Sequence, residues 1–361
     1  MSNKFLKSIM IGILAMTTMV GCAGSTTDNA GTGNLKIGMV TDLGSIDDKS
    51  FNQLTWEGIQ EANELYGTQS KYLKPASADQ VDLQKEIANL YDAGYRLIVT
   101  PGEKFATTIY TVQDLYKDAE FILLDVLPSS PEGTEYIGEN TAVALFKEHE
   151  AGFLVGLAAA VQLGEGDAGF IGGMATEAVQ RFNWGYQQGI AYANKNYGTN
   201  VNMDPSNFVY QGTFTEVAAG QQISAQMYDR GVDVIFCAAG GVGAGVIKEA
   251  RERAVSGEKV WVIGVDSDQY EEGIYDNQSS IILTSALKKV DSATLDIIGQ
   301  AVNGTFPGGQ VLEYGVNNNG VGLPEENPNL SEATIAKVNE VYTGIKDGKI
   351  IVADTGEGLF E

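Results

Sequence analysis

Short apolar runs rich in β-branched residues alternate along this chain with segments whose apolar positions recur at helical spacing. The first run, Lys36 to Val40, is followed by a segment from Phe51 to Tyr66 in which apolar residues fall on one face. The alternation repeats up to Val265 and continues beyond it. Strands that alternate with helices are typical of an α/β fold with parallel sheets.

The pattern predicts two blocks of similar size, and therefore two doubly wound, Rossmann-like lobes. Strands are predicted at 36–40, 73–76, 97–100, 121–126, 168–171, 207–211, 232–238, 261–265, 281–283 and 311–314. Helices are predicted at 51–66, 80–93, 107–116, 151–162, 182–194, 217–228, 245–254, 292–302 and 332–345. Residues 141–148 are the expected first crossover between the lobes.

Each lobe is expected to be discontinuous in sequence, because further crossings are predicted after residue 265. The expected first lobe comprises 35–142 with about 284–314, and the expected second lobe comprises 143–283 with about 315–361. The length of 361 residues agrees with two lobes, because it exceeds what one hydrophobic core usually supports.

The first 21 residues have the pattern of a lipoprotein signal peptide. Lys4 and Lys7 precede an apolar run, and small residues lead to Cys22. Cleavage would leave Cys22 as a lipidated first residue, followed by a flexible tether over 22–34. A transmembrane anchor is the weaker alternative, because the apolar run is about 12 residues and a span needs roughly 20.

The amino-acid composition narrows the classes of function that are compatible with this protein. The formal charge of −24 argues against nucleic acid or anionic lipid as a binding surface. The one histidine, His149, and the one other cysteine, Cys237, cannot assemble a zinc site or a Ser-His-Asp arrangement. Cys237 lies in an apolar run and is predicted to be a buried, inert thiol. We therefore expect no metal, no cofactor and no catalytic residues.

The turn after the first strand carries the most informative polar residues. Asp42, Phe51 and Asn52 lie where a strand passes directly into a helix, and such turns face the ligand crevice in α/β proteins. Carboxylates with an aromatic ring and an amide suit a neutral, planar, hydroxyl-rich molecule. Ser50 with Gln53 has the pattern of a capping box at the start of the helix.

Other predicted strands also end in polar or glycine residues that would face the same crevice. Asp125 closes a strand of the first lobe and Asp266 a strand of the second. Gly240 opens a glycine run that lacks the spacing of a dinucleotide site, so we expect close backbone approach to a ligand instead. Lys288 follows a late strand and could donate to hydroxyls or neutralise a crevice aspartate.

Several motifs, in order, resemble the basic membrane protein family of substrate-binding lipoproteins, which includes purine nucleoside receptors of ABC transporters. The resemblance spans residues 35 to about 355, nearly the whole mature chain. It is carried by Asp42-x-Gly-x-x-Asp-Asp-x-Ser-Phe-Asn-Gln, Trp56-Glu-Gly, Glu150-Ala-Gly-Phe-Leu-Val-Gly, Gly169-Phe-Ile-Gly-Gly-Met, Gly212-Thr-Phe, Ala239-Gly-Gly-Val-Gly-Ala-Gly, Ile263-Gly-Val-Asp-Ser-Asp-Gln and Thr284-Ser-Ala-Leu-Lys.

This resemblance implies a type I periplasmic-binding-protein fold, with two lobes joined by three crossovers that close on a nucleoside. It implies that Phe51 stacks on the base and that a second aromatic, for which Phe182 is the candidate, comes from the other lobe. The remaining implied contacts are Asp42, Ser50 or Asn52 and Asp125 near the polar edge of the base, Asp266 at the ribose, Lys288 in assistance and Gly240 in close backbone approach.

The expected function is therefore a monomeric, lipid-anchored receptor that delivers a nucleoside, with a preference for purines, to an ABC permease with its cytoplasmic ATPase. A sensory receptor of the same fold for a small ligand such as a sugar remains an alternative. An enzyme is the least favoured class. A metal-assisted nucleoside hydrolase or a dehydrogenase would need a histidine base or a cofactor motif that the sequence lacks.

Overall fold

The computed structural model describes residues 35–360, which form two six-stranded sheets covered by helices. The strands are β1 Lys36–Val40, β2 Gln69–Leu73, β3 Leu97–Pro101, β4 Glu120–Leu124, β5 Thr141–Phe146, β6 Glu165–Gly172, β7 Asn200–Tyr210, β8 Val234–Ala238, β9 Trp261–Asp266, β10 Ile282–Lys288, β11 Val311–Tyr314 and β12 Val321–Gly322. The helices are α1 Phe51–Tyr66, α2 Gln80–Asp92, α3 Ala106–Leu115, α4 Glu148–Leu163, α5 Glu177–Tyr197, α6 Val217–Asp229, α7 Gly241–Val255, α8 Val290–Val302 and α9 Glu332–Lys346.

Each sheet defines one lobe. The first sheet has the order β11-β5-β4-β3-β1-β2, and all of its strand pairs are parallel. The second has the order β12-β10-β9-β8-β6-β7 and is parallel except where β12 pairs with β10. The central strands are almost fully buried because helices cover both faces, which is why they are continuous apolar runs in the sequence.

Three chain crossings connect the lobes. The first joins β5 to α4 at Lys147, the second joins β10 to α8 at Lys289, and the third joins β11 to β12. The crossings are bonded to one another, since Lys147 N donates to Tyr314 O at 2.8 Å and Lys289 N donates to Gly320 O at 2.9 Å. This arrangement is the expected type I periplasmic-binding-protein fold.

Helix α4 leaves the first crossing and packs against α5 through glycines of both helices. A Cβ added at Gly152 would lie 2.3 Å from Phe182 O, and one added at Gly185 would lie 2.1 Å from His149 O. The two backbones can therefore approach only because these positions are glycine. The close pair forms a firm support for the side chains that face the hinge.

The structure differs from the sequence prediction most clearly at four strands. Strand β12 was not predicted, and β7 begins at Asn200 instead of residue 207. The predicted crossover at 141–148 contains a full strand, β5, which is separated from α4 by Lys147 alone, with no glycine or proline to mark the turn between them. Strand β2 lies at Gln69–Leu73 instead of 73–76, because it is a sheet-edge strand with exposed polar positions and little apolar pattern.

The predicted lobe boundaries need adjustment at the crossings. The chain was expected to return to the first lobe at residue 284, but this residue lies inside β10. Within residues 35–360, β10 pairs only with strands of the second sheet. Helix α8, which follows β10, packs on α1 of the first lobe. The second crossing therefore lies at Lys289, a few residues later than predicted.

The predicted signal peptide, the lipidation residue Cys22 and the tether lie outside the described residues. Within residues 35–360, no helix is long and apolar enough to cross a membrane.

Candidate ligand-binding site

Asp48, and not Ser50, caps the helix that follows the first strand. Its carboxylate accepts from the backbone N–H groups of Ser50 at 2.9 Å, Asn52 at 3.2 Å and Gln53 at 3.1 Å. The predicted capping box is therefore wrong. The Ser50 hydroxyl instead donates to Asp266 Oδ2 of the other lobe, a contact that no local pattern in the sequence indicates.

Asp42 and Asn52 form a fixed polar pair at the same turn. Asn52 Nδ2 donates to Asp42 Oδ1 at 2.9 Å and to Asp48 Oδ2 at 2.9 Å. Both amide hydrogens are thereby used, and the buried Asn52 Oδ1 has no hydrogen-bond partner among residues 35–360. Burial raises the pKa of Asp42 despite the donors from Gly44 and Asn52. The turn therefore holds an unused acceptor in position before any ligand binds.

Asp125 directly follows strand β4 of the first lobe, and Asp266 is the last residue of strand β9 of the second lobe. Both residues adopt the left-handed backbone conformation. Their φ angles are 73° and 64°. Such strained non-glycine residues concentrate at functional sites. Burial raises the pKa of Asp266 to about 6, although Lys288 and the Ser50 hydroxyl lower it in part. Asp125 Oδ1 is buried and has no hydrogen-bond partner in the described part of the chain.

Lys288 is the buried cation of the site, with 2% of its surface exposed. Its Nζ lies 2.5 Å from Asp125 Oδ2 and 5.0 Å from the centre of the Phe51 ring. Burial lowers the pKa of Lys288, but the carboxylates of Asp125, Glu148 and Asp266 outweigh it, so the pKa lies above its ordinary value. The amine is therefore charged, and it joins a residue of each lobe.

The lobes contact each other along the crevice. Besides the contact between Ser50 and Asp266, Lys49 O accepts from Ser267 Oγ at 2.9 Å and from Gln269 Nε2 at 3.0 Å. A cavity of about 240 Å³ remains beside these contacts, with Lys49 of the first lobe and Gly240 of the second among its lining residues. The crevice between the lobes is thus nearly closed, with both walls in contact.

The second-lobe wall contains the predicted Gly240 and an aromatic ring, Phe214, which the sequence prediction missed. Gly240 has φ 52°, and Phe214 lies beside it. A Cβ at Gly173 would lie 2.3 Å from Phe214 Cδ1, so the ring packs directly on the strand end. The signal was present in the Gly212-Thr-Phe214 motif, an aromatic a few residues after the end of β7.

Phe182, the predicted second aromatic, lies behind the crevice. It is 3% exposed, and its ring packs at 87° against Phe236 in the core of the second lobe. Its ring centre lies 6.0 Å from Lys288 Nζ. A residue in the middle of a helix cannot be assigned to core or crevice from spacing alone.

The remaining predicted residues meet in one region. Ser50 with Asp266, Asp125 with Lys288 and Phe51, and Asp42 with Asn52 are joined by the contacts above. Gly240 lines the cavity beside Lys49. Cys237 is 3% exposed, and burial raises the pKa of its thiol to about 12, as expected for an inert cysteine. Within residues 35–360 no cluster of three or more His, Cys, Asp and Glu side chains could hold a metal ion.

Two parallel α/β lobes, three crossings and a polar crevice between them define a solute-binding protein of the type I periplasmic-binding-protein class. A solved structure of the same kind supports this. A solute-binding protein of an ABC transporter system from Aeropyrum pernix matches with a TM-score of 0.76 and 26% identity, over 90% of this chain and 95% of that one.

The chain belongs to the Bmp family, described as ABC transporter substrate-binding protein PnrA-like, whose model matches residues 35–355. It is 33% identical to the ABC transporter nucleoside-binding protein BmpA of Lactococcus lactis, over 98% of this chain and 99% of the relative. It is also 34% identical to the CD4+ T-cell-stimulating antigen of Listeria innocua, over 95% and 96% respectively. The resemblance inferred from the motifs is thereby confirmed.

Proposed function

We propose that this protein is a nucleoside receptor of an ABC importer, which closes its two lobes on a nucleoside and delivers it to the permease. The observation that carries the proposal is the arrangement around Lys288. An aromatic ring, Phe51, lies beside buried acceptors that are unused within residues 35–360, Asn52 Oδ1 and Asp125 Oδ1. A base offers a flat face for the ring and N–H groups for the acceptors. The nucleoside-binding relative supports the same ligand class.

Each wall contributes a different interaction in this proposal. Phe51 stacks on one face of the base, and Phe214 of the second lobe takes the role for which Phe182 was the sequence candidate. Asp42, Asn52 and Asp125 accept from the polar edge of the base. Stacking contributes about 1 to 3 kcal/mol per base in other nucleic-acid-binding proteins, so two aromatic walls account for a large part of the affinity.

The sugar is assigned to the second lobe. Asp266 accepts from ribose hydroxyls when the ligand displaces the Ser50 hydroxyl, and Gly240 allows the backbone to approach closely. Lys288 donates to the ligand or balances the carboxylates around it. A nucleotide is disfavoured, because several buried carboxylates would repel its phosphate. Purines are the preferred nucleosides in this proposal, as the family resemblance implies.

We further propose that the receptor is held at the extracytoplasmic face of the cell membrane by lipid on Cys22, with residues 22–34 as the tether, and that it acts as a monomer. The support is the sequence pattern of Lys4, Lys7 and the apolar run before Cys22. Several acyl chains hold a protein stably at a membrane. Cys22→Ala in the producing cell should move the protein from the membrane fraction to the soluble fraction.

A thermal-shift screen tests the ligand class. Purine and pyrimidine nucleosides, free bases, ribose, nucleoside monophosphates, hexoses and amino acids are added one at a time to the mature chain. A ligand present at 100 times its Kd stabilises the folded form by about 2.7 kcal/mol, so a true ligand raises Tm by several degrees. Purine nucleosides should give the largest rise, and the monophosphates little or none.

The monophosphates are the matched control, because they add only a charged group to the same nucleoside. A large rise with hexoses and none with nucleosides would contradict the proposal and would favour the sensory or sugar-receptor alternative. Isothermal titration calorimetry with the best nucleoside then measures the affinity and confirms a stoichiometry of one.

A further inference from the structure

Lys288 lies at the hinge as well as in the crevice. It is the last residue of β10, immediately before the second crossing between the lobes. Aromatic rings surround its charge, with Nζ at 4.8 Å from the centre of the Phe146 ring and 5.0 Å from that of Phe51. An ammonium group in such a place needs a carboxylate partner in every state of the protein, because an unpaired buried charge is costly.

Glu148 is the partner that belongs to the same lobe as Lys288. It is the first residue of α4, directly after the first crossing, and 1% of its surface is exposed. Its Oε1 lies 2.9 Å from Lys288 Nζ. Helix α4 packs on β10 and β12, so this ion pair lies within the second lobe. The pair therefore does not depend on closure of the crevice.

Asp125 is the partner from the opposite lobe. It follows β4 of the first sheet, so its 2.5 Å contact with Lys288 spans the crevice and requires the lobes to be together. Closure therefore brings a second carboxylate to an amine that already has one. Asp266 lies close enough to raise the pKa of Lys288 as well. Within residues 35–360, the three carboxylates of Asp125, Glu148 and Asp266 therefore lie around the one amine of Lys288.

We propose that Glu148 is a positioning residue that gives Lys288 a carboxylate partner while the lobes are apart, so that pairing of Lys288 with Asp125 does not by itself close the receptor. The inference deepens the proposed function, on which its ligand-dependent part rests. A bound nucleoside would supply N–H and O–H donors to the surplus carboxylates, and closure would then be favoured. Removal of Glu148 leaves Asp125 as the nearest acid for Lys288 and shifts the population toward the closed form.

The charged groups that face Glu148 agree with this role. They are Lys288 on β10, Asp125 after β4, and Arg181 on α5, whose Nη1 lies 3.8 Å from Glu148 Oε2. Burial raises the pKa of Glu148 to about 7, with a further increase from Asp125 and a partial decrease from Lys288. Because Asp125 raises this pKa from across the crevice, closure takes up a proton and is favoured as the pH falls.

The test compares Glu148→Gln with Glu150→Gln by small-angle X-ray scattering of the empty receptor. Glu150 is a buried acid of the same helix turn, but its Oε2 accepts from Val316 N at 2.7 Å, a bond that a glutamine oxygen can keep. We expect a smaller radius of gyration for empty Glu148→Gln than for the wild type, and the wild-type value for Glu150→Gln. Equal compactness of wild type and Glu148→Gln, or equal compaction by both variants, would overturn the proposal.

A pH series distinguishes a positioning role of Glu148 from a merely structural effect of its substitution. The empty wild type should become more compact between pH 8 and pH 6.5, around the pKa of about 7, and Glu148→Gln should show no transition in that range. A transition of the same size in Glu148→Gln would overturn the proposal. These measurements need no ligand, so they remain informative even where nucleoside binding itself fails.

Nucleoside titration tests the part of the proposal that depends on the ligand. Glu148→Gln should bind about tenfold more tightly than the wild type at pH 8, because less of the binding free energy is spent on closure. Where Glu148→Gln does not fold, Asp125→Asn provides the opposite test. Its empty form should be more open than the wild type, since Lys288 then pairs only with Glu148. An Asp125→Asn receptor as compact as the wild type would overturn the proposal.

Discussion

The two walls of the crevice are built in opposite ways. The first-lobe wall, from Asp42 to Asn52, is a hydrogen-bonded network in which Asp48 caps the helix and Asn52 links two carboxylates. The second-lobe wall contains Gly173 and Gly240, and the side chain of Phe214 packs against both. The first-lobe wall has fixed polar groups, whereas the second-lobe wall leaves space for a ligand and presents an apolar ring.

This difference indicates a division of labour during binding. A prearranged polar network loses little conformational entropy when it accepts a ligand, so the first lobe is suited to initial capture. A glycine wall allows the second lobe to approach the captured ligand closely and to cover it. The direct contacts between the walls, such as that of Ser50 with Asp266, show where closure ends.

The largest expected effect comes from the aromatic ring of the first wall. Phe51→Ala removes stacking worth about 1 to 3 kcal/mol, which corresponds to roughly 5- to 150-fold weaker nucleoside binding by calorimetry. Tyr136→Ala, at an exposed aromatic of the same lobe, serves as the control and should bind normally. Wild-type affinity in Phe51→Ala would contradict the assignment of Phe51 to the base.

Asp266→Asn tests the polar group that the second lobe adds. The loss of a charged acceptor should weaken ribonucleosides about tenfold, since hydrogen bonds to charged groups contribute about 1.5 to 3 kcal/mol. Free bases should lose much less, because they carry no ribose hydroxyls. Calorimetry with a nucleoside and its free base measures both losses in the same variant. Equal losses would show that Asp266 does not contact the sugar.

Gly173→Ala tests whether the glycines position Phe214. The new Cβ would lie 2.3 Å from Phe214 Cδ1 and 3.0 Å from Thr213 O, so the ring must move. We expect a loss of about 1 kcal/mol in binding, or roughly fivefold. The same substitution in a Phe214→Ala background should cause no further loss, as a double-mutant cycle measures. Additive losses would mean that Gly173 acts independently of Phe214.

The smallest effect is expected at the rim of the crevice. Ser267→Ala removes one of the two side-chain donors to Lys49 O, and Gln269 Nε2 at 3.0 Å keeps that oxygen bonded. The loss should be about 0.5 kcal/mol, or about twofold in Kd, with faster dissociation in stopped-flow measurements. A loss larger than that of Asp266→Asn would place the main closure contact at the rim instead of in the crevice.

Local patterns were sufficient for most of the fold. The positions of α1 and β11 agree with the prediction to the residue, because the first is amphipathic and the second a short β-rich run between turn residues. Prediction failed where a local signal was missing. The edge strand β2 has no apolar pattern, and β5 is followed by an equally apolar helix.

Part of the site could also be predicted. Polar residues at the carboxyl ends of parallel strands meet at one edge for topological reasons, and Asp42, Asp125 and Asp266 were found in this way. Glu148 was missed because it begins a helix in a run of charged residues that resembles a solvated helix start. Phe182 was the sequence candidate for the second aromatic and Phe214 was not considered, because spacing does not distinguish a core ring from one on the crevice.

The amino-acid sequence by itself determined the alternation of strands and helices, the two-lobed fold and the family, because periodicity and motifs are properties of neighbouring residues. Only the tertiary structure decided which distant groups are partners. Ser50 and Asp266 are 216 positions apart, and Asp125 and Lys288 are 163 positions apart. These pairs form where three crossings bring two lobes together, so the contacts depend on the arrangement of the lobes and not on local sequence.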